Sequence, residues 1–285
     1  MLKITKIIIV FLLIFLNIFF IYYYFSIRPE SFEIAFIDVG QGHSTIIKTE
    51  NNKQIIIDSG NTVDGLSNIF SYLGFFNRYF DLVFITHFDI DHADLFPFLI
   101  KNFKITEIFE PSVYNKNSLR DEIILILNQK NKELKRVSAG DIFHIDDNTY
   151  IKILFPDKFF LNNQLTDNEN SLVLKINHKN QSILITGDLP RKFEKYLIKK
   201  YGSYLKSDIL LAGHHGSNTS SSEEFLRVVE PRYIIISVGK DNSFNLPSPK
   251  VLERIKKLEI PILRTDEIGT IIFKYNERLN KFTLK

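Results

Sequence analysis

The chain has no cysteine among its 285 residues, which excludes structural disulfides and every thiolate metal site. Any metal must then be held by histidine, aspartate, glutamate, asparagine or water. The missing cysteines are also compatible with life outside the cytoplasm. Charge of one sign is scarce too. The formal net charge is +3, of which residues 1–32 contribute +2 through Lys3, Lys6, Arg28 and Glu30, leaving +1 on the rest. That balance offers no whole-domain argument for a polyanionic partner, although a local basic face stays open. No internal repeat and no low-complexity linker divide residues 33–285, so one soluble domain is the simplest organisation. At 45% hydrophobic and 24% charged residues, general disorder is excluded.

What is present begins with a nearly unbroken apolar run over residues 7–27, interrupted only by Asn17 and Ser26. At helical rise such a run spans about 31 Å, against a hydrocarbon core of about 30 Å. Lys3 and Lys6 precede it, and Tyr22, Tyr23 and Tyr24 lie near its far end, as at a membrane interface. The apolar stretch is longer than the core of a signal peptide and no A-x-A-like cleavage site follows, so an uncleaved single-pass anchor is expected. Its flanks place the N-terminus inside and the body outside the cell membrane. Pro29 is expected to end the helix, with residues 28–31 as a short linker. The expected division is an anchor and linker over 1–32 and one domain over 33–285.

Beyond the linker the pattern turns to short β-rich runs over 33–38, 44–48 and 54–57, separated by Gly40, Gly42 and Asn51-Asn52. Helices then alternate with strands: helices over 66–73, from about 94, and over 120–131; strands around 82–85 and 105–109. Further strands are expected near 142 and over 150–155, 171–176 and 182–186. The last third alternates again, with helices over 191–201, 222–229 and 249–258 and strands over 208–212, 233–238, near 262 and over 270–275. The class is α/β (α+β), two sheets with helices on their outer faces.

Chemistry gathers where apolar strands end. Thr86-His87-Phe88-Asp89-Ile90-Asp91-His92 follows Leu82-Val83-Phe84-Ile85. Two histidines and two carboxylates after a core strand are costly to desolvate unless a divalent cation offsets the cost. Asp58 ends a second apolar run, Asn168 and Asn170 precede a third, and Asp188 and His214-His215 close two more. Converging strand ends would bring these groups to one cleft. The donor set suits two zinc or manganese ions, with Asp188 as the natural bridge and Asp91 orienting or deprotonating a water. Taken singly, Asp58-Ser59-Gly60 reads as a turn and Asp188 as a helix N-cap. No motif surrounds His43, His144 or His178.

These stretches, with Phe36-Ile37-Asp38-Val39-Gly40-Gln41-Gly42, Thr186-Gly187-Asp188, His214-His215-Gly216-Ser217 and Pro247-Ser248-Pro249, make the chain resemble the metallo-β-lactamase-fold superfamily. Within it the chain is similar to the hydrolase-like C-terminal domain of ComEC-type DNA-uptake proteins. The resemblance covers about residues 33–275. It implies an αββα sandwich with metal ligands His87, Asp91, His92, Asp188 and His214, and Asp58 supporting them from beneath. Asp89 stands where the wider superfamily has a histidine, and Asn168 or Asn170 near a further one. His215 and Ser217 are implied as supporting or substrate-facing. Two departures stand out: His43 replaces the usual aspartate on a loop expected to face the site, and Ala93-Asp94 replaces glycines. The multi-helix channel domain of the competence proteins has no counterpart among these residues.

The expected function is a membrane-anchored metal-dependent hydrolase, a phosphodiesterase or nuclease acting on DNA or another phosphodiester, with no signal for a protein partner. Two alternatives keep the fold: hydrolysis of another ester or amide, including a β-lactam or cell-envelope bond, and a non-catalytic module that binds DNA or a protein.

Overall fold

The computed structural model describes residues 2–26, 31–74, 76–113, 115–160 and 165–285. Six strands open the body: β1 (Glu33–Phe36), β2 (Thr45–Lys48), β3 (Gln54–Ile57), β4 (Tyr79–Phe84), β5 (Lys104–Pro111) and β6 (Leu134–Val137). A second sheet follows with β7 (Ile142–His144), β8 (Thr149–Phe155), β9 (Val173–His178), β10 (Gln181–Ile185), β11 (Ile209–Leu211), β12 (Tyr233–Ile236) and β13 (Ile262–Arg264). The chain then returns to the first sheet with β14 (Ile271–Asn276) and β15 (Lys281–Leu284). The strand orders are β15-β14-β1-β2-β3-β4-β5-β6 and β13-β12-β11-β10-β9-β8-β7. Both sheets are antiparallel in part, but β3 to β6 and β10 to β13 run parallel.

Strand periodicity explains the layering, because alternate side chains face opposite sides. Ile57, Phe84, Ile185 and Leu211 point between the sheets into a shared core with Phe36 and Leu174. Their neighbours Ile56 and Val83 face outward onto helices α2 (Val63–Leu73), α4 (Phe96–Asn102) and α5 (Ser118–Gln129), through Ile69, Leu99 and Ile123. On the other side Leu184, Leu210 and Ile234 meet α6 (Arg191–Tyr201), α7 (Glu223–Val229) and α8 (Pro249–Lys257), through Leu197, Leu226 and Ile255. The result is the expected αββα sandwich. Short polar side chains start the helices: Thr62 Oγ1 accepts from Gly65 N at 2.9 Å, and Asn117 Oδ1 from Leu119 N at 2.9 Å.

The N-terminal helix α1 (Leu2–Ser26) is long and apolar enough over Ile4–Ile21 to cross a membrane. Asn17 satisfies its amide within the helix, donating to Leu13 O at 2.8 Å, as a polar group in an apolar solvent must. The expected Pro29 stop lies outside the described residues, as does all of the 28–31 linker but Ser31.

Four elements differ from expectation. The helix expected from about residue 94 begins earlier, as α3 (Ile90–Ala93), and resumes as α4 after a break. Strands β6 and β15 and the short helix α9 (Thr265–Ile268) were not expected. Both strands are sheet edges, where Lys135, Arg136 and Lys281 interrupt the apolar signal and protect against edge pairing.

One histidine without a motif turns out to be structural. The His178 ring stacks on Phe32 with centroids 4.4 Å apart, and its Nδ1 lies 2.9 Å from Thr149 Oγ1. Burial pushes its pKa down to about 4. Folding therefore favours the neutral ring, and stability falls as pH drops from about 6.5, where the unfolded residue takes a proton, towards 4. Denaturation midpoints measured across that interval should fall less in His178→Gln than in the wild type; equal falls would remove His178 from the linkage.

Candidate metal centre

Four apolar strands, two from each sheet, deliver their polar ends to one edge of the sandwich. Asp58 leaves β3, and Thr86 and His87 leave β4 after Ile85. Asp188 follows β10, and His214 follows β11. Leu172 N donates to Thr86 O at 2.9 Å across the sheets, and His214 N donates to Gly187 O at 3.1 Å between neighbouring strand ends of the second sheet.

The innermost group is Asp58, fully buried and in the left-handed backbone region at φ 58°. Its Oδ1 accepts from Thr86 N at 2.7 Å, and its Oδ2 from Thr86 Oγ1 at 2.7 Å. Oδ2 also accepts from His92 Nδ1 at 2.8 Å and from His43 Nδ1 at 2.9 Å. Burial alone would raise this carboxyl's pKa, but the His92 charge and the bonds from His43 and His92 hold it well below the ordinary range. An ionised Asp58 only accepts, so both imidazoles carry their proton on Nδ1.

The same logic orients two more rings. Thr86 Oγ1 donates to Asp58 and therefore accepts from His87 Nδ1, at 3.0 Å. His215 Nδ1 donates to the Ser237 carbonyl at 2.9 Å. Three imidazoles thus have Nδ1 committed to the interior and an Nε2 lone pair turned to the same space. His92 Nε2 lies 3.2 Å from His215 Nε2 and 3.2 Å from Asp188 Oδ1. His215 Nε2 lies 3.1 Å from Asp91 Oδ2 and 3.8 Å from Asp188 Oδ2. His87 Nε2 is buried without any hydrogen-bond partner, 3.5 Å from Asp89 Oδ2 and 4.0 Å from Asp188 Oδ2.

Two lone pairs at 3.2 Å repel unless a proton or a cation stands between them. Without a metal, protons take that role. Burial pulls the pKa of His92 down, but Asp188 and Asp58 lift it well above its usual value. His215 is raised by Asp188 and Asp91 against the same burial. The orphaned His87 Nε2 and the converging carboxylates are what a divalent cation requires. Two groups of donors close enough to share an ion meet here, His87 with His92 and Asp188, and Asp91 with His92 and His215. A third, His43 with Asp58 and His92, is already saturated by its own hydrogen bonds.

A family model described as the Metallo-beta-lactamase superfamily matches residues 37–240, well over half of the chain. The chain belongs to the metallo-beta-lactamase superfamily. It is 28% identical over 269 residues to ComE operon protein 3 of Bacillus subtilis, covering 88% of this chain and 34% of that protein. It is 31% identical over 254 residues to Competence protein ComA of Neisseria gonorrhoeae, covering 87% and 34%. The chain thus spans about a third of the length of these curated relatives, which are ComEC-type competence proteins. Among solved structures it is similar in fold to the metallo-beta-lactamase fold protein YhfI of Bacillus subtilis (TM-score 0.54, 10% identity, 81% of this chain and 95% of that one). It is likewise similar to CmlA, a diiron β-hydroxylase of Streptomyces venezuelae (TM-score 0.57, 11% identity, 86% and 54%).

Against this superfamily pattern the structure places the expected residues as follows. His87, Asp89, Asp91, His92 and Asp188 come together. Asp188 is not a helix cap: Pro190 holds the cap position of α6, and the Asp188 carboxylate turns into the cluster. His215, expected in a supporting or substrate-facing role, sits with Asp91 and His92. His214 is partly exposed, its Nε2 3.5 Å from Asp188 Oδ2 and its Nδ1 3.0 Å from Thr219 Oγ1. Ser217 Oγ shares a hydrogen bond with the same Thr219 hydroxyl at 2.9 Å. Both histidines have positive φ, 52° each, which costs about 1–3 kcal/mol per residue and splays the two rings apart. Asn170 is buried with both amide atoms unpartnered, while Asn168 is half-buried one turn earlier.

His43, on the loop expected to face the site and either supporting or substrate-facing, takes a supporting place. It is buried behind His92, bound between Asp58 and Thr45, with its Nε2 2.8 Å from Thr45 Oγ1. Three supporting residues escaped sequence reasoning as site residues. Thr86 bridges Asp58 and His87, and Ser171 Oγ accepts from Asp188 N at 3.1 Å. Gly42 (φ +133°) packs so closely that a Cβ there would lie 2.2 Å from Asp91 O. Thr86 opened the Thr86–His92 motif and Gly42 closed the Phe36–Gly42 stretch, so position was the available signal.

Asp58→Asn keeps the size of the hub but removes its charge, and divalent-metal affinity, read by competition with a chromogenic chelator, should fall by about 10–100-fold. Gly42→Ala should displace the Asp91 backbone and lower affinity by about 10-fold or more, through first-turn geometry alone. Wild-type affinity in both variants would dissociate the buried layer from metal binding.

Proposed function

We propose that this chain is a membrane-anchored metal-dependent hydrolase of phosphodiester bonds, with DNA as the leading substrate. Residues 1–32 serve as anchor and linker, and residues 33–285 form the hydrolase domain outside the cytoplasmic membrane. The observation that carries hydrolysis is the meeting of three tautomer-fixed Nε2 atoms with Asp89, Asp91 and Asp188 at the sheet edge. The phosphodiester bond and the DNA rest on the similarity to competence proteins. The outward orientation rests on Lys3 and Lys6 before the apolar run and the tyrosines near its far end.

Two divalent ions, zinc or manganese, fit these donors. His87, Asp89 and Asp188 would hold one and Asp91, His92 and His215 the other, with Asp188 within reach of both and His214 adding a donor from the exposed side. Bound there, they would polarise a phosphoryl oxygen and make water nucleophilic near neutral pH. The remaining work belongs to the protein. Asp58 and Thr86 keep His92 and His87 from rotating, and Ser237 O does the same for His215. Asp91, partly exposed, would orient the water or accept its proton.

The full chain in detergent, supplied with manganese or zinc, should cleave a labelled single-stranded oligonucleotide. Asp91→Ala and Asp188→Asn should each lower the rate by about 100-fold or more, and chelator should abolish it. Activity surviving in both variants would overturn the assignment. Turnover of a β-lactam without turnover of the oligonucleotide would move the substrate class, and bound metal with no turnover would mark a binding module. For orientation, protease added to intact spheroplasts should digest residues 33–285; full protection would invert the topology.

A further inference from the structure

Just beyond His214 and His215, the same loop carries a second, unassigned cluster. Asn218 Oδ1 accepts from two guanidinium groups at once, Arg191 Nη2 at 2.7 Å and Arg254 Nη2 at 3.0 Å. Arg191 opens α6 and Arg254 lies on α8, so two separate helices deliver like charges to one neutral acceptor. Among the described residues, neither arginine has a carboxylate within 4.0 Å. A carboxylate whose charge reaches both is Glu194, but its oxygens are taken by Ser221 N at 2.5 Å and Ser222 N at 2.9 Å. Arg191 Nε is buried and has no hydrogen-bond partner. Burial and the neighbouring Arg191 charge both lower the pKa of Arg254.

Such an arrangement is unfavourable by itself. Two partly buried guanidiniums repel, and an unpaired buried donor costs free energy until something accepts from it. A phosphate bridging the outer nitrogens of the two partly exposed guanidiniums would relieve the repulsion, since guanidinium is the side chain best suited to planar, multidentate phosphate contacts. The cluster also borders the metal centre directly. Arg191 N donates to Thr219 O at 2.9 Å, and Thr219 Oγ1 is the partner of His214 Nδ1 at 3.0 Å.

We infer that Arg191 and Arg254 form an anion subsite beside the metal centre, which binds a non-reacting phosphate of a chain substrate one or more nucleotides from the bond that is cut. This rests on the phosphodiester reading above and adds to it. The reacting phosphate belongs at the metals, so a substrate with several phosphates gains affinity that a single diester cannot. The near-neutral charge of the whole domain then ceases to be an objection, because the basic contact is local.

The test is binding, read separately from turnover. The full chain in detergent, with chelator present, is titrated with a fluorescent 12-nucleotide single strand at several salt concentrations. Arg191→Gln should weaken binding about tenfold and reduce the slope of log K against log salt by about 0.7. Arg191→Lys, which keeps the charge but not the fork, should recover part of the loss. Arg254 also donates to Ser221 O at 2.6 Å, so Arg254→Gln is read only where its melting curve matches the wild type. Lys256→Gln removes an equal charge from α8 elsewhere and should keep wild-type affinity and slope. Equal binding by Arg191→Gln and the wild type, or no binding by the wild type, overturns the subsite. If binding responds as expected but no variant of substrate or metal gives cleavage, the hydrolase reading fails and the subsite stands.

Discussion

Four hydrogen bonds converge on the Asp58 carboxylate, and the chemistry of the whole edge depends on them. A buried carboxylate without partners would be protonated or would destabilise the fold. Here Thr86 supplies two donors and His43 and His92 one each, so the charge is kept and it dictates tautomers outward. Asp58 fixes His92 directly and His87 through the Thr86 hydroxyl. The reactive surface is therefore set from the second layer of residues inward of it, and the exposed donors Asp89 and Asp91 complete an arrangement that is already oriented.

Much of this was legible in the sequence because it follows from strand periodicity. The parallel strands are buried on both faces, so each reads as a continuous apolar run, and the polar residue that ends a run has to sit at a sheet edge. Asp58, His87 and Asp188 were recognisable in that way. The layers were legible for the same reason. What was not legible has equally physical causes. Edge strands β6 and β15 carry lysine and arginine, so their pattern is weak. The order of His214 and His215 cannot be read from spacing, because both adopt a left-handed backbone that sends adjacent rings in different directions. His43 could not be placed because its burial depends on Thr45 and Asp58, which approach only when β2 and β3 pair.

The histidine at residue 43 also has a local logic. The aspartate that the resemblance leads one to expect there would stand beside ionised Asp58 in a dry interior. The imidazole instead donates to Asp58 and accepts from Thr45, so this chain satisfies the position without adding negative charge. The neighbouring Ala93 is fully buried against the outer core, which leaves α3 no room to slide. His43 and Ala93 thus lie in the buried layer, while Asp94 is exposed at the surface.

The two walls of the centre come from different sheets and are joined by few backbone bonds, such as Leu172 N to Thr86 O. A cation shared between those walls would act as a thermodynamic clamp, because it would bind only when both halves are docked and so add RT ln(1 + [M]/Kd) to the folding free energy. Metal supply would then govern how long the protein lasts as well as whether it works. On the proposed reading, a chain starved of metal would lose this link between the two sheets and be the more open to proteases.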